Sequence, residues 1–198
     1  LIIAASTIDG DLTLTSGHAS GITDSGTVTV GGNFAATTDA NSGVINMGTM
    51  AVDGTFTLAP NSTGAVTIVN DAGLNLAAST LGGAFSGTAT TGNITDSGAL
   101  AITGTTTLVT SANDATIALD TTTNAFTGAL TITTNDASGT DADVTIDGGT
   151  TALIIAASTI DGDLTLTSGH ASGITDSGTV TVGGNFAATT DANSGVIN

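Results

Sequence analysis

Carboxylates are the groups in this chain that could do chemistry. There are 17 aspartates and two histidines, with no lysine, arginine, cysteine or glutamate. Such a set suits binding of a hard cation, since calcium takes several oxygen ligands from carboxylates and turn carbonyls. Three groups of residues are candidates. Asp24, Asp71, Asp96, Asp147 and Asp176 each stand two residues before a recurring glycine, a position that Asn46 and Thr122 fill elsewhere. Asp9 and Asp11 form a DGD turn that returns as Asp161 and Asp163, and Asp136, Asp141 and Asp143 lie close together in sequence. If the turn acids line one edge of a stacked structure about 4.8 Å apart, neighbours repel by roughly 1 kcal/mol in water, and a bridging calcium would relieve that. The competing reading is that each Asp caps its own turn beside a glycine. DGD alone is not an EF-hand loop, which needs a closing Glu that this chain lacks.

Catalysis has little to work with. His18 and His170 are one repeat position seen twice, in an SGHASG turn, so they cannot share a metal and are expected to be exposed. A nucleophilic Ser or Thr needs a His base held by an acid. Polysaccharide lyases need Arg or Lys, or paired carboxylates of raised pKa, and the bases are missing. The chain is therefore read as a non-enzyme.

The elements that must position these acids are short strands. Runs such as 27–30 (TVTV), 65–69 (AVTIV), 116–119 (TIAL), 129–134 (ALTITT) and 143–146 (DVTI) alternate with period two and are rich in β-branched residues. Clusters of Gly, Asn, Asp and Ser separate them, and no stretch shows a helical period. The class is all-β.

A long period organises the strands. Residues 1–46 return without change as 153–198, an offset of 152 residues, so 1–152 reads as one full repeat and 153–198 as the start of the next, with no domain boundary between them. Both ends are expected to lie inside a longer array. Perfect copies favour a periodic object, since an enzyme needs one unique constellation. A finer period uses the turn glycines. With Asn124 as the substitute, the landmarks Gly26, Gly48, Gly73, Gly98, Asn124, Gly149 and Gly178 are 22–29 residues apart and divide the repeat into six coils. At a spacing of 22 the first two coils set Val28 over Met50, Val30 over Val52 and Phe34 over Phe56. The expected fold is a right-handed parallel β-helix, or β-solenoid, rising roughly 29 Å per six-coil repeat. An array of β-sandwich adhesin domains is the rival architecture.

Composition bounds the partners. A formal net charge of −17 without any Lys or Arg excludes nucleic acid, which is held by bases on phosphates, and excludes attraction to anionic lipid. No run reaches the roughly 20 apolar residues of a membrane span. Trypsin-like proteases find no cleavage site, which suits life outside a cell. The expected partner is a second copy, in a fibre or lattice; no receptor is indicated.

The phrase ITDSG at 22–26, followed by TVTVGGNF, and at 94–98, followed by ALAITGTTTL, resembles repeats of filamentous-haemagglutinin-like adhesins and giant autotransporter-type surface proteins. That resemblance implies a secreted right-handed β-helix acting as stalk, fibre or adhesin at the cell surface. The strict repeat and the absence of bases depart from the family and favour a scaffold over a receptor-binding role. The function expected is a rigid extracellular rod, sheath or filament, adhesive or stabilised by calcium. An alternative is ice binding, because Thr-x-Thr recurs at Thr13/Thr15, Thr27/Thr29, Thr131/Thr133 and Thr165/Thr167. Asn61 and Asn93 match the glycosylation pattern, which chance alone produces in so Thr-rich a chain.

Overall fold

The computed structural model describes residues 1–39, 41–135, 141–191 and 195–198. Among them every named element is a strand, none is a helix, and none could cross a membrane as a helix. The strands pair in parallel, those inside each sheet with strands one coil before and one coil after, in a 13-stranded sheet A, a 9-stranded sheet B and a 3-stranded sheet C. This is a β-solenoid. The β-sandwich alternative is overturned, because its antiparallel facing sheets have no counterpart in this pairing.

Strand alternation explains the core. One residue in two points inward and stacks on its like in the next coil, so Ile22, Ile45, Val66 and Phe85 form one buried column. Phe34 pairs with Phe56, their ring centroids 5.8 Å apart, and Val28 with Met50, as the sequence spacing predicts. Pairing runs through residue 152 without a break, from Leu130 to Ile155 on sheet A and from Val144 to Leu164 on sheet B.

The coil count differs from the sequence expectation. Successive pairings on sheet A carry Ile22 to Ile45, Val66, Phe85, Thr106, Leu130, Ile155 and Asp176, in steps of 19–25 residues. Seven coils, not six, span the repeat, and the rise becomes roughly 34 Å. The column also ends two residues beyond Ile174, the sequence equivalent of Ile22. Sheet B agrees: its columns lead from Leu12 to Asp96 and from Ile94 to Leu164, which brings the column of Leu12 to Leu166. Each repeat is thus displaced by two residues around the girth relative to the one before.

The physical reason for the miscount is a side that changes from split to unbroken. Sheet A begins split, as in Ile2–Ile3 with Ser6–Ile8, becomes unbroken over Val66–Asn70, Phe85–Ala89, Thr106–Thr110 and Leu130–Thr133, and is split again at Leu153–Ile155 with Ser158–Ile160. Sheet B does the reverse. It is unbroken from Leu12–Ser16 to Thr55–Ala59, then split, its continuation forming sheet C, and unbroken again from Val144–Asp147. The corner of the split side is written Ala-Ala-Ser-Thr, at 4–7, 77–80 and 156–159. In the following coil the glycine of ITDSG lies on the second alanine; a Cβ on Gly26, Gly98 or Gly178 would meet Ala5, Ala78 or Ala157 at 3.1 Å or less.

Where an unbroken strand meets a split coil, one N–H loses its carbonyl partner. The corner serine supplies the acceptor. Ser79 Oγ accepts from Leu58 N–H at 3.0 Å and donates to Ala77 O, while Ser158 Oγ accepts from Ile132 N–H at 3.0 Å and donates to Ala156 O. At the opposite change on sheet A, fully buried Asn70 accepts from Val52 N–H at 2.9 Å and donates to Val52 O and Gly73 O. Buried polar groups are thereby paired where the ladder is interrupted.

Candidate functional site

The structure does not bring the turn acids into one column. Asp24 and Asp176 lie on sheet A, beside Ile3 and Ile155, and Asp71 follows the sheet A strand that ends at Asn70. Asp96 and Asp147 lie on sheet B, beside Leu76 and Thr167. The phrase ITDSG begins at Ile22, again at Ile94 and again at Ile174. Neither interval is a whole number of coils, so the phrase lands on alternate sheets. The carboxylate ladder that a calcium would bridge is not formed, and among the described residues no three Asp or His side chains are close enough to hold a metal ion. Asp136 lies outside the described residues.

Five of these acids act between coils: Asp11, Asp24, Asp96, Asp143 and Asp163. Asp24 Oδ1 accepts from Gly48 N–H at 2.9 Å, and its Oδ2 accepts from the Thr49 N–H at 2.7 Å and hydroxyl at 2.5 Å. Asp96 Oδ2 accepts from Asn124 Nδ2 at 2.6 Å. On the sheet B edge, Asp11 accepts from Asn33 N–H at 2.7 Å, and Asn33 in turn from Thr55 N–H at 2.9 Å. The same edge later runs from Asp143 to Asp163 N–H at 2.8 Å, and from Asp163 to Asn185 N–H at 2.6 Å. Each carboxylate replaces a carbonyl where the next coil turns. Asp147 alone in this set follows the own-turn reading, accepting from Gly149 N–H at 2.7 Å.

The rest are dispersed. Asp71 is exposed, and its backbone carbonyl accepts the Thr91 hydroxyl. Asp9 is exposed in the first coil, whereas its equivalent Asp161 is only 4% exposed and its Oδ2 has no partner among the described residues. Asp141 is exposed, and the Asp114 carboxyl beside it pushes its pKa up. His18 and His170 are exposed turn residues whose Nδ1 accepts the N–H of Ser20 and Ser172.

Hydrogen bonding makes part of the stability pH-dependent. Partial burial pushes the Asp24 pKa up, but the Thr49 hydroxyl and the Gly48 and Thr49 N–H groups outweigh it and hold the carboxyl below its ordinary 3.8. Asn185 holds Asp163 below that value in the same way, through its N–H and its side chain. A depressed pKa means that the unfolded chain takes up the proton first, so this stabilisation is complete above the unfolded value and is lost as pH falls through the folded one. The difference in melting temperature between the parent chain and Asp24→Asn should therefore be largest near neutrality and shrink below about pH 4. A difference independent of pH would remove the carboxylate from this role.

An apolar cavity of about 490 Å³ opens at the last coil, lined by Ile155, Leu164, Ile174, Val180 and Phe186. Thr175, Asp176 and Asn198 stand beside the apolar residues in its wall. The first copy explains it. Ile22, Val28 and Phe34 are the equivalents of Ile174, Val180 and Phe186, and there the coil that includes Ile45, Met50 and Phe56 covers them completely.

A family model described as repeats of unknown function (DUF5649) matches residues 63–133 and 141–198. The offset between the starts of the two stretches is close to the offset between the ITDSG phrases that begin at Ile94 and Ile174. No curated protein and no solved structure matches the chain.

Proposed function

We propose that this chain, which belongs to the DUF5649 family of repeats, is a length of shaft in a rigid structural rod at the cell surface: a stalk, sheath or filament rather than an enzyme. One observation carries the reading. The same 46 residues return after 152, and the strand pairing carries one stack from the first copy into the second without a break. Identical residues that continue one unbroken stack from copy to copy suit a shaft.

The charge pattern supports a surface location. With no lysine or arginine and a net charge of −17, the shaft resists trypsin-like proteases and stays soluble by self-repulsion. The likeness of its coil phrases to filamentous-haemagglutinin-like and autotransporter-type surface proteins points the same way. Short side chains and a continuous hydrogen-bonded ladder suit resistance to bending more than recognition of a receptor.

The reading is tested by length. Chains carrying one, two and four copies of the long repeat should appear in electron micrographs as unbranched shafts that lengthen by roughly 34 Å per copy. A flexible string of beads, or a length that does not grow in proportion, would sink the proposal.

A further inference from the structure

The four unbroken strands of sheet A, from Val66–Asn70 to Leu130–Thr133, present one continuous outward surface. Its central column is Thr67, Ser86, Thr107 and Thr131, held in register by the strand pairing. A column of alternating valine and threonine lies on one side, and on the other a column of alanines with Thr105. None of the 17 aspartates is among these outward residues. One aspartate, exposed Asp71, stands at the edge of this face just after Asn70, whereas the unbroken strands of sheet B are edged by four, Asp11, Asp143, Asp147 and Asp163.

We infer that this acid-free face of sheet A is where a second copy of the chain docks, face to face. The inference rests on the shaft reading and names the contact by which shafts associate. Charge selects the surface. Two copies, each with a net charge of −17 and no basic side chain, can form no ion pair across a contact, and they repel wherever aspartates face each other. On this patch no charge is desolvated, alanine and valine bury apolar area, and threonine hydroxyls can donate and accept across a two-fold axis. Small side chains on unbroken strands also allow close approach.

Size sets the strength. Four strands about 4.8 Å apart and five residues of about 3.3 Å give roughly 320 Å² per copy, well below the roughly 800 Å² per partner of a stable pair. One patch holds weakly. A shaft carries the patch once in every long repeat, so successive contacts become intramolecular and add in avidity.

Sedimentation of the chain up to millimolar concentration tests this. The expected result is weak, reversible association that strengthens at high salt, as screening lowers the repulsion. Thr107→Asp and, independently, Ser86→Asp should each weaken it by about tenfold, because each places charge in a contact that excludes water. Thr57→Asp, on the outer face of sheet B, should leave it unchanged. A cooperative melt and an elongated frictional ratio establish that each variant is a folded rod; a compact parent chain would fail the shaft reading, and a rod that stays monomeric would fail this proposal alone. Association that survives both sheet A substitutions also overturns it, assigning the contact to the open last coil. Retention on ice or on crystalline polysaccharide that Thr107→Asp abolishes in a monomeric chain would give the face to a solid, and overturns it as well.

Discussion

Phe34→Ala is expected to lower the stability of the chain by about 3–5 kcal/mol, while Phe186→Ala, the same change in the same local sequence, costs less than about 0.5 kcal/mol. Phe34 is fully buried, with Leu12 in the preceding coil and Phe56 in the following one. Truncating it removes a ring from the narrow part of the core, where backbone pairing on both sides prevents the coils from collapsing into the void. Phe186 stacks on Leu164 but is 56% exposed, and its truncation returns to water a group that water already reaches. Denaturant unfolding of the two variants gives the comparison directly. Equal losses at the two positions would mean that burial by the following coil is not what separates them, and the stacked core would have to be redrawn.

Gly21→Ala should cost more than about 3 kcal/mol, beside a near-neutral Gly10→Ala. Gly21 sits in the left-handed region at φ +70°, and a Cβ there would lie 1.9 Å from Val44 O and 2.5 Å from Val44 N. Val44 O is not free to move away. It accepts the Ile22 N–H at 2.8 Å, at the point where the turn re-enters sheet A. The substitution therefore combines an unfavourable backbone conformation with loss of the first rung of the ladder. A Cβ on Gly10 meets nothing within 4 Å. Thermal melts of the two variants should differ by many degrees; a Gly21→Ala as mild as Gly10→Ala would contradict the coil separation at this corner.

How far the sequence foretold the structure depends on what a single residue can report. Strands at 27–30, 65–69, 116–119, 129–134 and 143–146 were legible because alternation is a local property, and each is found. The stacking of Phe34 on Phe56 was legible because those coils match without a gap. The coil count was not. ITDSG reads as a mark of one place on the perimeter, yet at 22–26 it lies on sheet A and at 94–98 on sheet B, so counting it undercounts the turns. A signal that would have corrected this is the Ala-Ala-Ser-Thr phrase, whose second alanine precedes the ITDSG glycine by nearly the same interval each time: Ala5 and Gly26, Ala78 and Gly98, Ala157 and Gly178. That interval is the coil. The role of the aspartates was half legible, since residue type fixes them at turns, but a partner in the next coil depends on stacking that no local window contains. Asp24 bonded to Gly48 and Thr49 spans a whole coil, and the acid column vanished with the landmark count that had produced it.

The two-residue displacement between successive repeats has a consequence for anything that shafts build. With coils of about 22 residues, a mark on one repeat returns to its own stacked column only after about eleven repeats, or roughly 370 Å of length. Straight shafts laid edge to edge would lose contact within a few repeats. If such shafts joined through one column, they would have to follow it around one another, and because an outer ply would travel farther than the inner ones, that winding would limit how thick a bundle could grow.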